Sequence, residues 1–361
     1  MRNGYQLPGE EDGDDLGKEP ISPHLVIDQL GNFLGVRLNY TPLEVKTNAR
    51  VENGEPKTSF DLGKPIWVQV FTAGSIYKNV GVFIETEFNT AKKEVKNSWF
   101  RLGFHNLFGP AGAANVRVGQ LSPMDWHAIS GRLRMISNVK IQGISFVKSS
   151  NGKGEDSAVL ASAYPGLEFY GYQGPVLYSV GVVNGPKLAD PNTDKNVFGT
   201  LRLEHTSGDF EGSAITFWAV RGVDTKETAT AQKRNVYWRV SPALNVRHES
   251  VDFIAGFFYG QDDNWTLAGA NNEQKNTFRS GVVQLGYTFT PQIYGVLQYD
   301  RVDSHLNPES LDFNKLTGSL SYFPRGNMRV ALSGRIDLQD TDPAVHPDKL
   351  HEITVTLRTM F

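Results

Sequence analysis

From residue 35 to the end of the chain, runs of alternating apolar and polar residues follow one another, joined by connections that are alternately long and short. A period of two gives a strand two chemically different faces. The pattern is plain where Ile66, Val68 and Val70 alternate with Trp67 and Gln69, and where Val80, Val82 and Ile84 alternate with Gly81, Phe83 and Glu85. It returns where Phe100, Leu102 and Phe104 alternate with Trp99, Arg101 and Gly103, and again at Val197, Leu201 and Leu203 against Thr200, Arg202 and Glu204. Short turns are expected at 73–75, 173–175, 207–209, 248–249, 290–291 and 324–327, and longer loops at about 41–64, 91–97, 184–195, 222–234, 261–277, 304–310 and 340–349. The tally is about 16 strands, within a range of 14–18. A soluble sandwich or solenoid gives no reason for strict long–short order. A sheet that crosses a bilayer repeatedly does, and hydrocarbon forces such a sheet to close because an open edge would leave backbone groups unpaired. The expected fold is therefore all-β, a transmembrane antiparallel up-and-down β-barrel.

The last twelve residues fit that expectation. Ile353, Val355, Leu357 and Thr359 fall on one face, Glu352, Thr354, Thr356, Arg358 and Met360 on the other, and the chain stops on Phe361. This ending resembles the closing strand of bacterial outer-membrane barrels, and the resemblance implies that Phe361 serves as the assembly signal read by the barrel assembly machinery. It also implies residence in the bacterial outer membrane, among outer-membrane lipid. Met1 leads directly into Arg2, Asn3 and Gly4 without a secretory signal, as expected of a mature or truncated form.

Composition agrees once the alternation is known. An apolar content of 39% and a mean hydropathy of −0.35 would suit a soluble protein, but a barrel with a polar lumen and an apolar exterior averages to the same values. No run of about 18 apolar residues is present, so spanning helices are excluded. A net charge of −3 offers no basic field for nucleic acid. The absence of cysteine rules out disulfides, thiolate zinc sites, iron–sulfur clusters and covalent c-type haem within the chain. Residues 1–30, with the run Gly9-Glu10-Glu11-Asp12-Gly13-Asp14-Asp15, read as an acidic N-terminal arm or linker, and residues 31–361 as the barrel.

With the apolar member of each strand turned to lipid, the charged members point inward. The expected pore lining is Glu85, Glu87, Arg101, Arg117, Arg202, Glu204, Arg239, Arg279, Lys315, Arg329, Arg335, Asp337 and Arg358. Arg or Lys on the lipid side costs about 2–4 kcal/mol at the midplane, which drives these side chains into the lumen. A barrel of this size leaves an interior wide enough for water. Arginine outnumbers carboxylate in the set, so a modest preference for anions follows. Paired charges that merely brace the wall would give the same pattern. The long stretch 121–165, with Trp126, Arg132, Arg134, Lys140 and Lys148, either folds inward to narrow the pore or lies as an outer loop.

Catalytic and metal-binding patterns are missing. The eight histidines include no i, i+4 pair, there is no G-x-S-x-G and no phosphate loop, and Asp190, Asn192 and Asp194 open a calcium-loop spacing that does not continue. No catalytic, cofactor or metal site is assigned. The reading is a porin-like channel for small hydrophilic solutes, in which oligomerisation is compatible with the pattern. The competing enzyme class is an outer-membrane lipase or protease with dispersed catalytic residues.

A narrower resemblance rests on three strings: Arg2-Asn3-Gly4-Tyr5-Gln6-Leu7-Pro8-Gly9, Val116-Arg117-Val118-Gly119-Gln120-Leu121-Ser122-Pro123 and Gly181-Val182-Val183-Asn184-Gly185. They are similar to the barrel portion of bacterial fusions between a monohaem cytochrome c segment and a porin. That resemblance implies a barrel sheath for an electron-transfer conduit, with haem c carried by a partner cytochrome or by a preceding N-terminal segment, since the ligating cysteines are absent here.

Overall fold

A computed structural model describes residues 18–22, 25–28, 34–52, 55–77, 79–89, 93–130, 133, 162–184, 193–227, 232–265, 275–304, 313–338 and 351–360. Strands β1 (Lys18–Ser22) and β2 (Leu25–Asp28) pair as a small antiparallel sheet of their own. The expected acidic run at 9–15, the region 140–148 and Phe361 lie outside the described residues.

The remaining described strands build one closed sheet. Its strands are β3 (Leu34–Glu52), β4 (Glu55–Tyr77), β5 (Val80–Asn89), β6 (Glu94–Phe104), β7 (Asn115–Leu121), β8 (Tyr164–Gln173), β9 (Val176–Val183) and β10 (Asn196–Glu204). They continue with β11 (Ala214–Glu227), β12 (Gln232–His248), β13 (Val251–Asp262), β14 (Asn276–Thr290), β15 (Ile293–Ser304), β16 (Phe313–Arg325), β17 (Met328–Asp337) and β18 (Glu352–Met360). Every neighbour is antiparallel and adjacent in sequence, and β18 pairs with β3, so a ring of 16 strands has no free edge. Closure satisfies every ladder, the condition hydrocarbon imposes.

Alternation along the strands is carried through to burial. In β10, Asn196, Phe198, Thr200 and Arg202 are buried inside, while Val197, Leu201 and Leu203 are exposed outside. In the closing strand, Ile353, Val355 and Leu357 share the outward face with Leu332 of β17, and Arg358 lies opposite Arg329 on the inward face. One rim has tight turns between β8 and β9, β12 and β13, β14 and β15, and β16 and β17. The other rim carries the long connections, so by the usual asymmetry of such barrels it is the extracellular one.

Among the described residues the structure departs from the sequence reading at 41–64, at 73–75 and at 222–234, where β11 and β12 extend through most of the expected loop. The expected polar loop at 41–64 is strand, the upper parts of β3 and β4 joined at residues 53–54. There Leu43, Val45, Phe60 and Leu62 alternate with Glu44, Lys46 and Asp61, and Lys64 pairs with both Glu44 and Asp61. Dense charge hid an alternation that continues well beyond the 9–11 residues needed to span a bilayer. Residues 73–75, read as a turn, lie inside β4, and the chain turns at 78–79 with Asn79 at φ 59°.

Of the two courses expected for the stretch after Leu121, the described residues take the inward one, and this positions the functional region. Strand β7 has only seven residues, after which the chain leaves the wall at Leu121 and runs into the interior. Gly119, at φ 124°, prepares this exit: a Cβ there would sit on the carbonyl oxygen of Phe100 in the adjoining strand. The largest buried apolar cluster among the described residues consequently lies within the lumen, where Leu121, Met124 and Ile129 meet Phe198, Trp218, Phe258 and Phe278.

Candidate functional site: the barrel lumen

The described part of the inward segment, 122–130, is held to two stretches of wall. On one side Asp125 accepts from Arg101 Nη1 at 2.9 Å and lies 3.4 Å from Arg117 Nη1. Arg117 donates from Nε to Glu168 Oε2 at 2.7 Å, Trp126 Nε1 donates to Glu168 Oε1 at 3.1 Å, and the Arg117 guanidinium lies over the Trp126 ring at 4.7 Å. On the other side Trp218 Nε1 donates to the Pro123 carbonyl at 2.7 Å. His127 stacks on Phe258 at 5.3 Å and meets the Trp218 ring edge-on. Ile129 packs above Gly256, whose missing side chain makes the space.

The hydrogen-bond directions at His127 decide its chemistry. The Ile129 amide donates to His127 Nδ1 at 3.3 Å, so that nitrogen is an acceptor and the proton sits on Nε2, 2.9 Å from Ser241 Oγ. Ser241 Oγ in turn donates to the Phe257 carbonyl at 2.6 Å. The imidazole thus donates to the hydroxyl instead of drawing its proton away, the reverse of a nucleophile–base pair. Burial, with Arg202 nearby, pushes the His127 pKa down to about 3, so the ring is neutral at ordinary pH. His105, just past β6 at the turn-side rim, is likewise pushed down to about 4, by burial first and then by Arg117.

Of the residues expected to line the pore, Arg101, Arg117, Arg202, Glu204 and Arg239 face inward but are engaged. Arg101 and Arg117 anchor the inward segment, Arg202 Nε donates to Glu204 Oε1 at 2.6 Å, and Arg239, wholly buried, pairs with Asp262 at 2.8 Å. Near the extracellular end of the opposite wall, Lys315 lies 3.8 Å from Asp337 and Arg335 lies 3.0 Å from Glu352. Glu85 and Glu87 face inward on β5 and accept from Gln69 Nε2 at 2.6 and 2.8 Å.

Arg279 is a correction: it is exposed on the outer face. It shares the parity of Val283, Leu285 and Tyr287 on β14, all exposed, whereas Ser280 and Val282 point inward. Gly281 interrupts the apolar series and hid that parity in the sequence. A position four residues into the strand from the extracellular rim reduces the penalty for charge on the lipid side.

A different arrangement appears where β17, β18 and β3 meet. Arg329 and Arg358 are direct cross-strand partners, and Arg37 enters beside them on β3 opposite Met360. Arg37 Nε donates to Gln69 Oε1 at 2.7 Å with Glu85 3.9 Å away, and Arg358 Nε donates to Asn39 Oδ1 at 2.6 Å. Among the described residues no carboxylate pairs with Arg329 or Arg358. Like charges directly opposite each other destabilise a sheet, so this trio is retained against a folding cost. It lies near the turn-side ends of its strands, and β18 stands eight places from β10 in the ring of 16, across the lumen from the wall that holds the inward segment. In the sequence Arg37 and Asn39 alternate with Val36, Leu38 and Tyr40, a pattern that sets the face Arg37 takes but does not mark it as a neighbour of residues some 300 positions away.

Comparison with known proteins addresses the architecture. No protein-family model matches the sequence, and no curated protein sequence matches it. Solved structures do. An anion-selective porin from Comamonas acidovorans superposes with a TM-score of 0.65 at 11% identity, covering 91% of this chain and 99% of that one. Salmonella typhi OmpF, in complex with daunomycin, gives 0.59 at 12% identity over 91% and 97%. The outer-membrane channel DcaP of Acinetobacter baumannii gives 0.57 at 13% identity over 91% and 95%. The chain has the porin fold. Its closed 16-stranded wall with an apolar exterior is that of a bacterial outer-membrane barrel.

Proposed function

We propose that this barrel is a diffusion channel for small hydrophilic solutes that favours anions. The observation that carries the reading is the trio Arg37, Arg329 and Arg358, two of whose members have no carboxylate partner among the described residues and so leave a site for a passing anion. The inward segment supports it further, since a packed element across part of the lumen narrows a pore. The same segment leaves less room for an enclosed cytochrome, which weighs against the sheath reading. The donor direction at His127 weighs against hydrolytic chemistry at its contact with Ser241. One structural neighbour is itself described as anion-selective, which agrees with the proposal.

Reversal potentials across planar bilayers under a KCl gradient test it. Anion preference is expected for the native barrel, and the double substitution Arg329→Gln, Arg358→Gln should carry the reversal potential toward the cation side. Cation preference in the native protein, or selectivity unmoved by the double substitution, would overturn the proposal. Esterase and protease assays on the refolded barrel address the enzyme alternative, and turnover there would replace the channel reading.

A further inference from the structure

Arg279 and its surroundings have no role in conduction, because they face away from the lumen. Cross-strand register assembles an outward patch around them. One row pairs Phe257 with Gly281 and Gly281 with Arg301, with Phe217 and its partner Pro242 on the adjoining strands, and the next runs through Val240 and Tyr259 to Arg279 and Asp303. Below Arg301 on the same strand the outward series continues with Tyr299 and Leu297, which places both arginines at the upper margin of the apolar belt, beside its tyrosines.

The wall under this patch is hollowed. A groove of about 870 Å³ runs over it, floored by the small residues Pro242, Ala255 and Gly281 and flanked by Phe217, Phe257 and Val283, with Arg279 and Arg301 at its charged end. A Cβ built on Gly281 would meet nothing within 4 Å, so the hollow is open space. Among the described residues neither arginine has an ion-pair partner, although Asp303 is the cross-strand neighbour of Arg279. Two guanidinium groups against one carboxylate leave the end of the groove positive.

We propose that this groove binds a phosphorylated, multiply acylated glycolipid of the outer leaflet, with acyl chains in the apolar hollow and a phosphate between Arg279 and Arg301. Each half of the ligand meets its complement. Guanidinium groups bind phosphate by charge-assisted, often bidentate hydrogen bonds, and such bonds strengthen at the margin of a low-dielectric phase. The extracellular rim of the barrel is the end that meets outer-leaflet headgroups. A second copy of the chain fits less well, since it would have to bring a carboxylate to each arginine within an apolar contact.

Native mass spectrometry of the detergent-purified barrel, titrated with a hexa-acylated, bisphosphorylated diglucosamine lipid and with its dephosphorylated form, tests the proposal. The native protein should bind the phosphorylated lipid at least tenfold more tightly. The double substitution Arg279→Gln, Arg301→Gln should abolish that difference, and Gly281→Leu, which fills the hollow, should weaken both lipids. Arg325→Gln, at the turn-side rim, should change neither. Heat-dependent mobility on gels verifies that each variant is a closed barrel, and single-channel conductance should be unchanged in the Arg279, Arg301 variant. Equal affinity for the two lipids, or undiminished preference in the double variant, would overturn the proposal. A change of oligomeric state in that variant with lipid binding intact would assign the groove to contacts between copies instead. The channel reading stands or falls separately, on the reversal potentials.

Discussion

Replacing Asp125 with Asn asks whether ion pairing holds the inward segment in place. Asp125 is buried between two buried arginines, 2.9 Å from Arg101 Nη1 and 3.4 Å from Arg117 Nη1. The amide keeps the shape but removes the charge. Arg117 retains Glu168 on its other edge, and Arg101 loses its 2.9 Å bond to the Asp125 carboxylate. Breaking a buried pair by removing one partner costs about 3–5 kcal/mol. Because Asp125 belongs to the segment and both arginines belong to the wall, that cost falls on docking of the segment and not on the barrel. At ~1.4 kcal/mol per factor of ten, the undocked population rises by roughly two to three and a half orders of magnitude. Single-channel recording reads this directly: the variant should visit a larger conductance level, with longer dwell times, that the native barrel visits rarely. Arg101→Gln should reproduce the effect from the wall side. If Asp125→Asn gave native conductance and native current noise in a correctly closed barrel, the pairing would not be what holds the segment, and apolar packing of Met124 and Ile129 would have to suffice.

Acid should act at the same element through His127. Its folded pKa, pushed down to about 3 by burial and by Arg202, lies below the ordinary value of 6.5, so the docked state binds the proton less well than the undocked one. The stability of docking is therefore complete above pH 6.5 and lost progressively toward pH 3, by roughly 4–5 kcal/mol in all; conductance should rise reversibly over that range, and His127→Gln should flatten the response. Gly119→Ala forces a side chain into a positive φ and against the Phe100 carbonyl, a cost of about 1–3 kcal/mol in backbone strain alone. The temperature at which the folded band converts to the unfolded one on gels should fall, and an unchanged midpoint would show that the exit from β7 is not strained.

Much of the wall was legible in the sequence because lipid acts on each strand separately. Period-two alternation and the order of long and short connections require no knowledge of partners, and they led to 16 strands, closure and the inward parity of Arg101, Arg202, Arg239, Arg329 and Arg358. What the charges do inside depends on neighbours across the ring, and that is a tertiary matter. Arg239 is neutralised by Asp262 from the next strand, Arg117 by Glu168 and Asp125, while Arg329 and Arg358 meet each other because β17 pairs with β18. Arg279 points outward with the parity of Val283 and Leu285, which Gly281 masked in the sequence, at a rim that tolerates charge. The segment after Leu121 carries no periodicity, so only packing against Trp218 and Phe258 could show that it turns inward. Local pattern determined which face each side chain takes, since the solvent on each side imposes it residue by residue. Tertiary register decided which charges meet, between neighbouring strands and, at the β18–β3 seam, through closure of the ring, where register over some 300 residues brings Arg358 beside Asn39 and is written in no single strand.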